Sequence, residues 1–216
     1  MTLFKDSSFT LGIGLRRLKY PTEFKDFDGS NAKFRMVNYF SEAEYLTATA
    51  VAALMDASRM KIQKHLRDMW KTRLIKCVEV LTKTDPERAF KLWMPSASAL
   101  PKNAMEACRL AAFGAFYSRA KNSLADLEWG VTRSKDRKSL TAEMVYLPNG
   151  AKEKTRLVID APRRGEKPNA DADIYIYPSV EEAMKFTPIG KRYTADIMLL
   201  NRNIDFKNLI SDPVSK

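Results

Sequence analysis

Residues 46–66 read LTATAVAALMDASRMKIQKHL, two short helical patterns parted by Asp56-Ala57-Ser58. Thr47 stands where a helix N-cap belongs, because its hydroxyl can accept from the exposed first-turn amides. Val51, Leu54 and Met55 give the first helix an inner face, and small Ala52 and Ala53 let a second helix approach closely. After the tight turn, Ser58 caps the next helix. There Ile62, Leu66 and Met69 recur at three- and four-residue spacing and face inward.

The opposite face of that second helix holds Arg59, Lys61, Gln63, Lys64 and Arg67, followed by Lys71 and Arg73. Between Arg59 and Lys76 the only acid is Asp68. Long basic and amide side chains near a helix N-terminus suit major-groove base edges, and those further along suit phosphates. Leu74-Ile75 then closes the core. Lys76–Leu81 reads as a strand, Thr84–Glu87 as a turn and Ala89–Trp93 as the returning strand. Helix, turn, helix and hairpin in that order predict a winged helix-turn-helix over roughly residues 41–95, with double-stranded DNA as the partner.

The bulk composition agrees. The 216 residues carry a formal net charge of +11 and a sequence pI of ≈ 9.6 on an ordinary mean hydropathy of -0.37. That excess favours a polyanion, nucleic acid first and an acidic membrane surface second. The first twenty residues show no secretory pattern, and no apolar run reaches the ~20 residues of a spanning helix. A cytoplasmic protein without a membrane partner is therefore expected. Cys77 and Cys108 form no CxxC pair and read as reduced thiols. His65 is the sole histidine, which excludes polyhistidine zinc sites and initiators whose metal sits on a histidine cluster. The chain has no GxxxxGK[ST] phosphate loop.

Residues 1–35 are mixed, with a turn at Phe27–Asn31, and are read as an N-terminal extension. The winged helix-turn-helix is assigned to 36–98, and the composition shift at Pro95–Pro101 opens a mixed α/β domain over 99–216. The expected class is α+β. A helix is predicted from about Lys102 to Leu127, entered through Pro101. Strands are predicted at Leu140–Leu147, Thr155–Asp160, Asp173–Tyr177 and Tyr193–Leu200. Trp70, Trp93 and Trp129 read as core anchors. Tyr175, Tyr177 and Tyr193 read as packing residues, with base stacking as the alternative. Arg163-Arg164 and Lys167 sit in a Gly/Pro-containing loop and are candidates for phosphate contact.

Carboxylates fall in or beside the predicted strands: Glu143, Asp160, Asp171, Asp173 and Asp196. Acids on strand edges can hold Mg²⁺ or Mn²⁺, which polarises a scissile phosphate and acidifies an attacking water. The stretches Thr141-Ala142-Glu143, Asn169–Tyr175 (NADADIY) and Tyr193–Ile197 (YTADI), behind a winged helix, resemble the replication-relaxation proteins, kin of the MobC-type plasmid mobilisation relaxases. The resemblance implies a restriction-endonuclease-like second domain and metal-dependent nicking of plasmid DNA at a transfer origin. Glu143, Asp171, Asp173 and Asp196 would then be the metal ligands and catalytic residues, with other plasmid-processing or replication proteins as partners. The chain departs from that pattern where Thr194-Ala195 replaces an expected acid. It also lacks an E-x-K, so Lys185 and Lys191 are candidates by proximity alone.

Two alternatives stand beside nicking. One is a non-catalytic regulator of transcription or replication whose second domain dimerises or binds a partner. The other is a nucleic-acid-coating protein, which the charge alone would permit.

Overall fold

The computed structural model describes residues 7–83, 88–133 and 140–215. It is a mixed α+β structure with two sheets on either side of one buried helix. The first sheet contains β1 (Gly12–Arg17), β2 (Leu46–Thr47), β3 (Ile75–Thr82) and β4 (Arg88–Pro95), in the order β1-β3-β4-β2. Three helices accompany it: α1 (Asn31–Ala43), α2 (Ala48–Leu54) and α3 (Arg59–Lys71).

The two expected caps form. Thr47 accepts from the Ala50 amide and Ser58 from the Lys61 amide. Asp56 takes a left-handed φ of 47° in the turn between them, a conformation short polar side chains tolerate. Ile62, Leu66 and Met69 are fully buried beneath α3, as their spacing predicts. The β3–β4 hairpin runs in register from Ile75↔Pro95 to Thr82↔Arg88. The turn predicted at Thr84–Glu87 lies outside the described residues, as do residues 134–139.

The described residues 7–35 are not a separate extension. β1 is the edge strand of the first sheet, antiparallel to β3 with Arg16 opposite Glu79. The helical region also begins at Asn31 rather than Ser41. Residues 18–25 continue across the base of the hairpin, where the Leu18 amide donates to Cys77 and the Lys25 amide to Lys71.

α4 (Ala104–Lys121) has 18 residues, 13 of them buried, so it is apolar on all sides and fits only in an interior. Two glycines set its approach to the first sheet. A β-carbon on Gly12 would fall 2.4 Å from the Ala104 carbonyl oxygen, and one on Gly114 would fall 2.4 Å from that of Tyr45. Its other side meets the second sheet, where Phe116 stacks on Trp129 at 6.1 Å. One continuous core therefore holds Val78 and Leu92 of the first sheet together with Met144, Ile159 and Ile174 of the second. The composition change near Pro95–Pro101 marks no break in packing.

The second sheet has five strands in sequence order: β5 (Glu128–Arg133), β6 (Leu140–Tyr146), β7 (Thr155–Asp160), β8 (Ile174–Tyr177) and β9 (Arg192–Ala195). β5–β6–β7 is an antiparallel meander, and β7, β8 and β9 are parallel, so β6 alone runs against the rest. α5 (Val180–Phe186) links β8 to β9. The predicted strand Tyr193–Leu200 divides into β9 and a short helix, α6 (Asp196–Leu200), with Asp196 in its first turn. The helix predicted to reach Leu127 ends at Lys121.

Candidate nucleic-acid interface

α3 is held from below by its apolar stripe and from the side by an edge-to-face contact of Trp70 with Trp93, whose ring centroids are 6.0 Å apart. Its solvent side carries the predicted cations. Arg59, Lys61, Lys64 and Arg67 are exposed, and Gln63 is half-buried. Among the described residues no ion pair engages Arg59, Lys61, Lys64 or Arg67; the Arg67 Nε donates only to the Gln63 carbonyl.

The single acid of α3, Asp68, is half-buried and borders the flank that carries Lys61 and Lys64. Asp68 points toward Lys33 of α1 at 3.9 Å, and Lys33 also donates to Asp28 at 2.6 Å. Lys33 is itself buried, so its charge sits under the helix and is met there by both acids.

Lys71 and Arg73 behave differently from the four exposed cations. Lys71 donates to Glu23 at 2.5 Å, and the Arg73 guanidinium lies 5.8 Å from the centre of the Phe24 ring. Both belong to the far end of α3, where residues 18–25 cross it. The structure thus separates the seven predicted DNA contacts into a front group, Arg59 to Arg67, and a rear pair already engaged within the chain.

A cleft of ≈ 610 Å³ opens between α3 and β4. Arg59, Gln63 and Arg67 line one wall, while Arg88, Lys91 and Phe90 line the other. Lys91 lies opposite Glu79, which is opposite Arg16, and Arg16 donates to Glu79 at 2.5 Å. Ser8 and Phe9 also line the cleft. Phe9 packs edge to face on Phe90 with centroids 5.1 Å apart. Sequence reading missed Lys91 and Phe9. The strand alternation of β4 was the signal for Lys91, whereas nothing local placed Phe9 here.

The carboxylates of the second half occupy separate environments. Glu143 accepts from Arg156 at 2.5 Å. Asp171 stands exposed on the loop before β8. Asp173 accepts from the Val158 amide at 2.9 Å and faces Lys191 at 3.4 Å. Asp196 has no exposure and accepts from Ser7 at 2.6 Å and Arg163 at 2.7 Å. Asp160 is buried against Arg109 and two backbone amides, those of Ala161 and Asn169. Burial pushes the carboxyls of Asp160 and Asp196 above the ordinary range, with the neighbouring arginines opposing it. Among the described residues no three His, Cys, Asp or Glu side chains gather as a metal-ligand set. Glu143, Asp173 and Asp196 each have a separate partner, and Asp171 stands apart on its loop.

The candidate lysines are likewise dispersed, Lys191 on Asp173 and Lys185 over the Phe186 ring at 5.1 Å. Arg163, proposed from sequence as a phosphate contact, is buried completely. Arg164 pairs with Glu182 at 2.6 Å, and Lys167 is exposed. Tyr175 and Tyr177 stack on one another within the fold, with centroids 6.0 Å apart, as packing residues do.

No family model, no curated protein and no solved structure matches the chain. Among the described residues no helix is long and apolar enough to cross a membrane.

Proposed function

We propose that the chain is a sequence-specific double-stranded DNA-binding protein. Its first half acts as a winged helix-turn-helix, with α3 as the reading helix and the β3–β4 hairpin as the wing. The observation that carries this reading is the front of α3. Among the described residues its four exposed cations have no ion-pair partner, while the helix's one acid lies 3.9 Å from a buried lysine. A protein gains nothing in stability by crowding like charges on one face. The arrangement is useful when a polyanion supplies the missing charge.

The second half is best read as the body of a regulator or accessory protein of replication or transfer, in a plasmid or other mobile element. The resemblance noted above supports the setting. The order of α4, a three-strand meander, β8, α5 and β9 is compatible with an endonuclease-like core. Three of the four carboxylates favour the non-catalytic reading, because Glu143, Asp173 and Asp196 are engaged with neighbouring side chains.

Selection from a pool of random duplexes, followed by fluorescence anisotropy on the enriched site, tests the proposal. A defined site should emerge, and the double variant R59A/K64A should lose specific binding to it. Failure to enrich any sequence refutes the reading. Incubating the chain with supercoiled plasmid bearing the enriched site and Mg²⁺ or Mn²⁺ addresses the other branch: intact supercoils support the regulator, and a relaxed circle overturns it in favour of nicking. A dimer in solution together with a palindromic site would assign the second half a role in assembly.

A further inference from the structure

The solvent side of α3 is divided into two stripes of different shape and chemistry. Arg59 and Gln63 face the cleft and share it with Lys91. Met60, Lys61 and Lys64 lie on the open flank, above a shallow surface that passes Arg67 and the half-buried Asp68 to Lys71. Met60 is 78% exposed, the most exposed of the large apolar residues among those described.

Nothing in the fold accounts for that thioether. The apolar stripe of α3 is already complete in Ile62, Leu66 and Met69. The N-cap is supplied by Ser58, and its neighbours Arg59 and Lys61 are charged. An apolar side chain held in water among cations loses the burial it would gain elsewhere. It becomes favourable when the surface it meets offers an apolar group.

Shape decides which stripe meets which part of a duplex. The major groove is about 12 Å wide and admits the protruding side of a helix. The sugar–phosphate backbone beside it is a convex, anionic ridge, and a concave cationic cleft is its complement. The major-groove edge of a base pair presents one apolar group, the C5 methyl of thymine.

We infer that Met60 packs on a thymine methyl in the major groove, beside Lys61 and Lys64. The cleft between α3 and β4 then holds the adjacent phosphate ridge through Arg59 and Lys91. This assignment rests on the DNA-binding reading above and divides its residues into base readers and phosphate holders.

The test uses the full chain and the enriched duplex. Each thymine is replaced in turn by deoxyuridine, which removes the C5 methyl and leaves the hydrogen-bonding edge intact. At one or two positions the wild-type protein should lose affinity about fourfold, the worth of one methyl group taken from water. Met60→Ala should bind the thymine duplex with that same loss and be indifferent to deoxyuridine at those positions. Arg59→Ala and Lys91→Ala should keep the deoxyuridine profile and weaken every duplex alike. Each should also lower the slope of log affinity against log salt by about one. A Met60→Ala profile identical to the wild type overturns the assignment of Met60. Altered base preference with an unchanged salt slope in Arg59→Ala or Lys91→Ala overturns the assignment of the cleft. If no sequence is enriched, the DNA-binding reading falls first and this one with it. Met60, Arg59 and Lys91 are all exposed, so circular dichroism of each variant should match the wild type.

Discussion

Replacing Arg163 by methionine should be among the most damaging single substitutions in the second half of the chain. The guanidinium is fully buried and makes four hydrogen bonds. It donates to the carbonyls of Ala161 (3.0 Å), Phe9 (3.2 Å) and Ile176 (2.6 Å), and to Asp196 (2.7 Å). Methionine fills much of the volume and supplies none of the donors. Asp196 would keep only the Ser7 hydroxyl, and its other oxygen is already without a partner. Removing one member of a buried ion pair costs about 3–5 kcal/mol, because the remaining charge is left uncompensated. In a chain of this size that corresponds to a fall in Tm of roughly 6–20 °C.

The penalty should depend on pH, with a definite sign. Burial already holds the Asp196 carboxyl above its ordinary 3.8, and Arg163 is the largest influence opposing that rise. Without Arg163 the folded carboxyl binds its proton more tightly still. A group whose folded pKa is raised contributes stability that is present below its unfolded pKa and is lost as pH rises through the folded one. R163M should therefore fall further behind the wild type at about pH 7.5 than at about pH 5. The double variant R163M/D196N, which cannot ionise at position 196, should recover stability over R163M at the higher pH. Urea unfolding at the two pH values, read as midpoints at constant slope, measures this. An R163M midpoint that differs little from the wild type at both pH values would refute the reasoning.

Two further predictions concern the interior. Alanine at Gly114 should destabilise by at least about 1–3 kcal/mol in urea unfolding, because overpacking forces a shift of backbone rather than of a side chain; its β-carbon would meet the Tyr45 carbonyl at 2.4 Å. An unchanged midpoint would show that α4 is not seated against β2. Cys77 and Cys108 are buried, and burial pushes each thiol up to about 12. Neither should react with a chromogenic disulfide at about pH 8 in the folded protein, and both should react in concentrated guanidinium. Rapid labelling of the native chain would contradict this burial.

The readable parts of the sequence were those in which partners lie close in the chain. Thr47 and Ser58 cap amides three residues away, and Ile62, Leu66 and Met69 declare their face by spacing alone. α1 was obscured for a physical reason. Its inward positions are Lys33, Met36, Phe40 and Ala43, and the lysine interrupts an otherwise regular apolar stripe. Only the fold shows that Asp28 and Asp68 meet that lysine. β5 was missed because it carries Gly130 and shows little alternation in EWGVTR. The carboxylates show the limit of local reading. Residue type and strand position suggested a metal site, but the partners that fix their role are distant in sequence: Arg163 stands 33 residues from Asp196, and Arg109 stands 51 from Asp160.

The same long-range contacts bear on how the first half of the chain can stand. The segment from Ser7 to Arg17 runs through both halves. Ser7 bonds Asp196 at the start of α6, Phe9 packs on Phe90 of β4, Gly12 lies against Ala104 of α4, and β1 completes the first sheet. A fragment spanning 36–98, the boundary that composition suggests, would lose β1, the first turn of α1 and all of α4. Val51 and Ala52 of α2, Leu46 of β2 and Val78 and Val80 of β3, all fully buried in the shared core, would then lose the cover of α4 and β1. At roughly 60 residues a domain is marginal even with its core intact. The fragment should therefore lack cooperative thermal unfolding by circular dichroism, and its one-dimensional NMR spectrum should lack dispersed methyl signals. A fragment that unfolds cooperatively would mean that α3 has its own sufficient core. In that case the packing of α4 against it would be an interface between two domains rather than the interior of one.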